Sequence, residues 1–476
     1  MASKTLKIIS LALLGSTMLY VYKSWESHKE RSSFDVKDIK LSQVKLDISE
    51  LHTKFKEPVW CVNTESSMVC FCITFKNEGG RSFADRPGIL NVMINSLLDG
   101  AGTRDSTELK KFLDTHSINV WCPPDNDDLC IEVACLAKYF DIAIDVLCDV
   151  LSAAHLKEEK IEIIKQNCVA SVKQSMFSTD TVAAEKLNHM MYEDGHPYNK
   201  TNEEMLARIP KYTRKDVVEC YNAVFDPRHA AITIVSSLPK ENILRAFNKV
   251  FDSIKDRKNN FGPVRQQTEL RTAGKEEYVE LNNPQSTVLF ALPGVLRSSK
   301  EKYAVRAAND IWGAAGLVSR LARTVRDQSG LVYRIRSDVY SEDLQSHIRG
   351  SSSTRPENVQ QVIECIKKEC KELYEHGITE EELRKFKVVT HAGTILNSSY
   401  TILSFVTSER SDGVKMNDVN EGLSNYYNLT VDDVNKAAKK FDPSKLIFVV
   451  CGKTASPGEK PAKLEGESIE MEGGAR

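Results

Sequence analysis

The sequence lacks the spacings that build small metal or disulfide scaffolds. Its 476 residues hold twelve cysteines but no C-x-x-C pair, and apart from Cys70 and Cys72 they are scattered singly. This argues against a zinc ribbon and a disulfide-dense fold, and leaves most thiols as small buried hydrophobes. The ten histidines include no pair at i,i+3 or i,i+4, the closest being His189 and His196, so no helix face offers two imidazoles to one ion. An excess of one charge is missing too. With 64 basic against 66 acidic residues, no bulk field points toward nucleic acid. Apolar residues at 41% and charged residues at 27% exclude a disordered, collagenous or polytopic chain.

What is present begins with an uncharged run from Ile8 to Tyr22, preceded by Lys4 and Lys7 and ended by Lys23. It is shorter than the roughly 20 residues of a comfortable membrane span and reads as a secretory signal or short signal anchor over 1–23. The expected location is periplasmic, or membrane-anchored through this segment and facing the periplasm, with 24–44 as a polar spacer. Residues 454–476 carry Pro, Gly, Lys and Glu and read as a disordered tail.

The body repeats itself. Strand-like runs at Val69–Phe75 and Thr287–Leu292 are each followed by a helical pattern, over Gly88–Asp99 and Tyr303–Thr324. Each half closes with Phe-Asp-Pro before a strand: Phe225-Asp226-Pro227 leads to Ala230–Val235, and Phe441-Asp442-Pro443, 216 residues on, leads to Leu446–Val450. Thr379-x-x-Glu382 forms a capping box. The polar stretch 256–276, with Gly262 and Pro263, reads as a linker between domains 45–255 and 277–453. The expected fold class is α+β, with two homologous domains, each a mostly antiparallel sheet packed with helices.

The helix opened by Gly88-Ile-Leu-Asn-Val-Met-Ile-Asn-Ser-Leu-Leu-Asp-Gly100 resembles the signature helix of the pitrilysin and insulinase-type metallopeptidases. Within that family the likeness is to the bacterial, mitochondrial-processing-peptidase-like branch. The family's inverted motif H-x-x-E-H places two metal-binding His on one helix face beside a water-activating Glu. Here the matching positions are Asn91, Ile94 and Asn95, and the family's later Glu ligand falls at Ser171. Amides are poor zinc ligands and isoleucine moves no proton. The resemblance therefore implies a degenerate motif, with no metal and no cofactor held by this chain. His196, in Gly195-His-Pro-Tyr198, is assigned a structural role.

The second half keeps more. Asn309 to Leu321 and Val325 to Tyr333 resemble the family's C-terminal stretch, with Ser319-Arg320-Leu321 followed by Arg326 and Tyr333 seven residues apart. In active relatives that pair reaches the zinc-bearing half and holds the substrate carbonyl and its developing oxyanion, work suited to a guanidinium and a phenol. The resemblance implies a noncatalytic subunit, inactive alone, whose Arg326 and Tyr333 complete the substrate chamber of a zinc-bearing homologue for peptide hydrolysis. The alternative is a structural or peptide-binding module with no part in catalysis. A self-sufficient zinc metalloendopeptidase lacks the three protein ligands such a site requires.

Overall fold

The computed structural model describes residues 45–259, 270–271, 274–394 and 398–453. The N-terminal run, the spacer, the tail and most of the expected linker lie outside them. No helix among the described residues is long and apolar enough to cross a membrane.

The first half contributes strands β1 (Ile48–His52), β2 (Pro58–Asn63), β3 (Met68–Phe75), β4 (Asn119–Trp121), β5 (Leu129–Leu136) and β6 (Ala230–Ser236). Its helices are α1 (Ile89–Ser96), α2 (Ser106–Thr115), α3 (Phe140–Ser152), α4 (Glu158–Ser175), α5 (Thr179–Met191), α6 (Asn202–Arg208), α7 (Arg214–Ala223) and α8 (Lys240–Ser253). The sheet order is β1-β2-β6-β3-β5-β4, antiparallel except between β2 and β6.

The second half has β7 (Glu276–Glu280), β8 (Ser286–Pro293), β9 (Val332–Ser341), β10 (Ser346–Thr354) and β11 (Ile447–Gly452). Helices α9 (Lys302–Asn309), α10 (Val359–His376), α11 (Glu380–Thr394), α12 (Ser399–Ser411), α13 (Val419–Asn428) and α14 (Val431–Ala438) complete it. Its order, β7-β11-β8-β10-β9, with one parallel pair between β7 and β11, repeats the first sheet without β1. The α+β class and the mostly antiparallel sheets are those expected. The two Phe-Asp-Pro triplets do the same work: Asp226 accepts the N–H of Arg228 and Asp442 that of Ser444, each opening a 3-10 turn into a buried strand.

Along the central strands successive side chains face opposite sides, and both sides are covered. On β3, Val69, Phe71, Ile73 and Phe75 face the first half's own helices, with Phe247 of α8 edge-on to Phe71. Cys70 and Cys72, with Trp60, Val62 and Val235, face Leu403 and Val406 of α12 and Val419 of α13, which come from the second half. The exchange is mutual. Leu289, Ala291, Ile447 and Val449 of the second sheet pack on Ala183, Leu187 and Met191 of α5. All twelve cysteines are unpaired and eight are buried.

The continuous helix expected over Tyr303–Thr324 is broken. α9 ends at Asn309, a π-helical turn spans Asp310–Ala314, and after the turn at Gly316–Val318 a second π segment runs Ala322–Gln328. Gly313 sits so close to β9 that a Cβ there would lie 2.2 Å from the Ser337 Oγ, and Gly316 has φ of +57°. Close approach and a left-handed residue divide what apolar periodicity reads as one helix.

One buried charge fastens the exchange, and a buried carboxyl holds the end of the first half. Arg410, at the end of α12, donates to the Ile232 carbonyl and, at 2.8 Å, to that of Pro58, and lies 4.5 Å over the Trp60 ring. Glu78 accepts the N–H groups of Phe225 (2.6 Å) and Asp226 (3.3 Å) and the Asn259 amide (2.6 Å), holding Phe225 at φ +67°. Burial, against those hydrogen bonds, pushes Glu78 up to about 7.

Two outcomes are expected. Arg410→Ala removes the clamp between α12 and the first sheet and costs about 2–4 kcal/mol in urea denaturation, the range for breaking a buried charged network. Because the folded-state value of Glu78 lies above its ordinary 4.5, its contribution is full below pH 4.5 and lost as pH rises through about 7. Chain stability should therefore fall between pH 5.5 and 8, and Glu78→Gln should remove part of that slope in denaturation midpoints taken across the range.

Candidate functional site

The degenerate helix is well formed. Gly88 caps α1 in a left-handed conformation (φ +83°) at a point where a Cβ would meet the Ile209 side chain at 2.7 Å. Ile89, Leu90, Val92, Met93 and Ser96 are buried, which leaves Asn91 and Asn95 on the outward face with Ile94 half-buried between them. The three positions matched to H-x-x-E-H thus share one surface. Asn95 Nδ2 donates to the Asn91 carbonyl at 2.8 Å, so this amide is spent on its own helix.

That surface forms one wall of a cavity of about 390 Å³. Opposite stand Val120 and Trp121 of β4, then Cys122 and Pro124. β4 is the last strand of its sheet, so its outer backbone edge has no strand beside it among the described residues. Trp121 is 55% exposed at this rim, a residue the sequence reading passed over because a three-residue strand shows no periodicity. From α4, the side chain that approaches Asn95 is Cys168, its Sγ 3.9 Å from Nδ2. Ser171, one turn further, is exposed.

The donors do not suit zinc. Two amides and an isoleucine replace imidazoles and carboxylate. The nearby sulfurs are no substitute, since burial pushes the Cys122 thiol up to about 12 and raises Cys168 as well. No group of three or more His, Cys, Asp or Glu among the described residues is arranged to hold a metal. Polarisation of a water or a scissile carbonyl therefore has no agent at α1.

His196 is part of the packing: its ring stacks on Tyr192 at 4.7 Å and its Nδ1 accepts the N–H of Tyr198 at 3.2 Å. The Ser-Arg-Leu triplet is structural as well. Ser319 Oγ accepts the N–H of Ala322, and Leu321 is buried in the core. Arg320 grips Glu382 with two bonds of 2.7 Å and the Gly377 carbonyl with a third. Glu382 in turn accepts the N–H of Thr379 at 2.9 Å, closing the capping box at the start of α11.

Arg326 and Tyr333 stand apart from this scaffold. Arg326 projects from the second π segment, and Gly330, at φ +62°, reverses the chain into β9. The β9–β10 register slips between Val332 and Ile335, so Tyr333 sits on a bulge and is 89% exposed. The structure brings the two together, the guanidinium 5.9 Å over the Tyr333 ring. The one ion pair of Arg326 among the described residues is to Asp327 at 3.8 Å, and the Tyr333 hydroxyl has no hydrogen bond there. Neither residue lines the cavity at α1.

Comparison with known proteins accords with this arrangement. Residues 211–387 match the family model described as the peptidase M16 inactive domain. An uncharacterized zinc protease of Streptomyces coelicolor is 22% identical over 366 residues, covering 74% of this chain and 78% of the relative. The non-peptidase homolog YmxG of Helicobacter pylori is 20% identical over 311 residues, 65% of this chain and 71% of that one. In fold, the peptidase M16 inactive domain from Pseudomonas fluorescens superposes with a TM-score of 0.79 at 19% identity, over 86% of this chain and 98% of that one. The periplasmic protease PqqL from Escherichia coli gives 0.68 at 15% identity, over 87% of this chain and 46% of its own. The chain thus resembles the M16 peptidases over residues 211–387 and in fold, with two amides and an isoleucine where that family's inverted zinc motif stands.

Proposed function

We propose that this chain is the zinc-lacking subunit of a processing-peptidase-like heterodimer, completing the substrate chamber of a zinc-bearing homologous partner for peptide hydrolysis. The observation that carries the reading is the placement of Arg326 and Tyr333. A bulge and a π segment hold a guanidinium and a phenol side by side and outward, and the phenol hydroxyl has no hydrogen bond among the described residues. Such donors are useful where negative charge develops on a substrate carbonyl. The zinc belongs to the partner, and this chain holds no cofactor.

A second reading is favoured by the cavity at α1. Its uncharged wall lies beside the edge strand β4, an arrangement suited to an extended peptide that is bound and left intact. In that reading the chain is a peptide-binding module without a catalytic share. Location follows the N-terminal run, toward a periplasmic or anchored body. The fold likeness to a periplasmic protease supports this.

The purified chain should carry no stoichiometric zinc by elemental analysis and cleave no peptide by itself. One zinc per chain, retained on dialysis and lost with activity to a chelator, overturns that. In the reconstituted pair, Tyr333→Phe and Arg326→Ala should each lower turnover by on the order of 10²–10³ while leaving assembly intact, the usual cost of one oxyanion donor. Arg326→Lys should not rescue, because an ammonium lacks the planar fork. Full turnover in both variants leaves the peptide-binding module.

A further inference from the structure

The two halves meet around one carboxylate. Asp127, buried, accepts from Arg81 Nη1 (2.7 Å), Arg297 Nη2 (2.6 Å), the Asp343 N–H (2.9 Å) and the Tyr198 hydroxyl. Arg81 and Tyr198 belong to the first half, Arg297 and Asp343 to the second. Asp343 also pairs with both guanidiniums, at 3.1 Å each. Two cations against two anions would balance, but the seam holds three more carboxyls. Asp125 accepts the N–H of Asp127 at 2.8 Å, Asp128 that of Asn77 at 3.0 Å, and Glu342 the Asn126 amide at 3.1 Å across the halves.

One further cation is near, the Lys200 ammonium, which donates to the Gly80 carbonyl and which burial holds down to about 8, so carboxyls remain in surplus. Glu342 faces Asp125, Asp127 and Arg297, with Tyr192 and Tyr198 beside it, and its Oε2 is buried without a hydrogen bond. His347 contributes no charge, because burial and Arg349 hold it down to about 3, and Arg349 itself lies over the Tyr340 ring. Burial, with the Asp127 and Asp125 charges, pushes Glu342 up to about 7. Burial, with Asp343 and Asp127, pushes Asp128 up to about 6.

The seam is continuous with the cavity at α1, since residues 122–128 form a single loop. Its near end, Cys122 and Pro124, lines the cavity, and its far end, Asn126 to Asp128, sits among these charges. The loop is fastened by the N–H groups of Gly79, Gly80 and Arg81 to the carbonyls of Asp127, Asp125 and Asn126, and by the Asn126–Glu342 bond. We propose that the carboxyl-rich seam around Asp127 is a pH-sensitive fastener of this loop, closed in mild acid and loosening from neutral pH upward, so that the cavity wall at Cys122 and Pro124 yields with it.

The sign follows from Glu342. The closed seam binds its proton more tightly than the released loop does, so closure is fully favoured below pH 4.5 and loses its advantage as pH rises through about 7. An upward shift of that size changes the open-to-closed ratio by at most on the order of 10².

Hydrogen–deuterium exchange on the full chain from pH 5.5 to 8.5, corrected for intrinsic exchange rates, tests this. Protection of 122–128 should fall by about tenfold or more over that range, and by more than that of β3. Glu342→Gln keeps the acceptor for Asn126 but cannot ionise, and should flatten the profile. Asp125→Asn, at an exposed position, keeps the loop cap and removes one facing charge, and should shrink the change even if the buried substitution disturbs folding. Asp310→Asn, at a raised carboxyl in the first π segment of the second half, away from the seam, should leave the profile as it is. A flat profile in the parent chain, or one unaltered by both seam variants, overturns the proposal.

Discussion

Everything in this molecule depends on the reciprocal covering of its two sheets. A sheet in water needs both apolar faces covered, and each half supplies helices for only one of its own. The second face of the first sheet is closed by α12 and α13, and that of the second sheet by α5. Neither half can complete its core without the other. This explains why β3 and β8 read as nearly unbroken apolar runs where a sheet with one wet face would alternate.

That mutual dependence also shapes the sites. Where the halves interlock they must bury backbone and charge together, which produces Arg410 on the Ile232 and Pro58 carbonyls and Asp127 among four donors. The cavity at α1 and the Arg326–Tyr333 pair lie off these anchors, on a sheet edge and a bulge, where side chains can face outward at little structural cost. A rigid frame of exchanged helices presenting loosely committed side chains at its margins is a sound base for holding peptide, whatever chemistry the margin retains.

How much of this could be read beforehand divides by range. The strands, the capping box at Thr379 and the paired Phe-Asp-Pro turns are local, set by alternation or by an Asp reaching its own next N–H groups, and they stand where the residues placed them. The loss of the zinc motif was legible through the family resemblance, which sets Asn91, Ile94 and Asn95 where H-x-x-E-H stands, and helix spacing puts these three on one face. The break at Gly313 and Gly316 was not, because it is set by contact with β9, far along the chain. Nor could periodicity tell that Cys70 and Cys72 face a helix of the other half, or that Asp127, one of several acids in an Asp-rich stretch, would be the buried one. Arg326 and Tyr333 were singled out through the resemblance of their surroundings to the family's C-terminal stretch, while the bulge that turns Tyr333 outward is a register slip that a single strand does not reveal.

A folded chain keeps eight of its twelve thiols out of water, and an unfolded one keeps none. Burial pushes Cys135, Cys220 and Cys370 up to about 12, so the folded molecule offers almost no thiolate for exchange at these positions. Global opening returns all twelve to ordinary reactivity at once. In oxidising surroundings, chains that open would cross-link or mispair before the long-range β pairing could re-form. Survival there is then a matter of half-life, governed by how rarely the exchanged helices let go, and the equilibrium between folded and unfolded chain ceases to describe it.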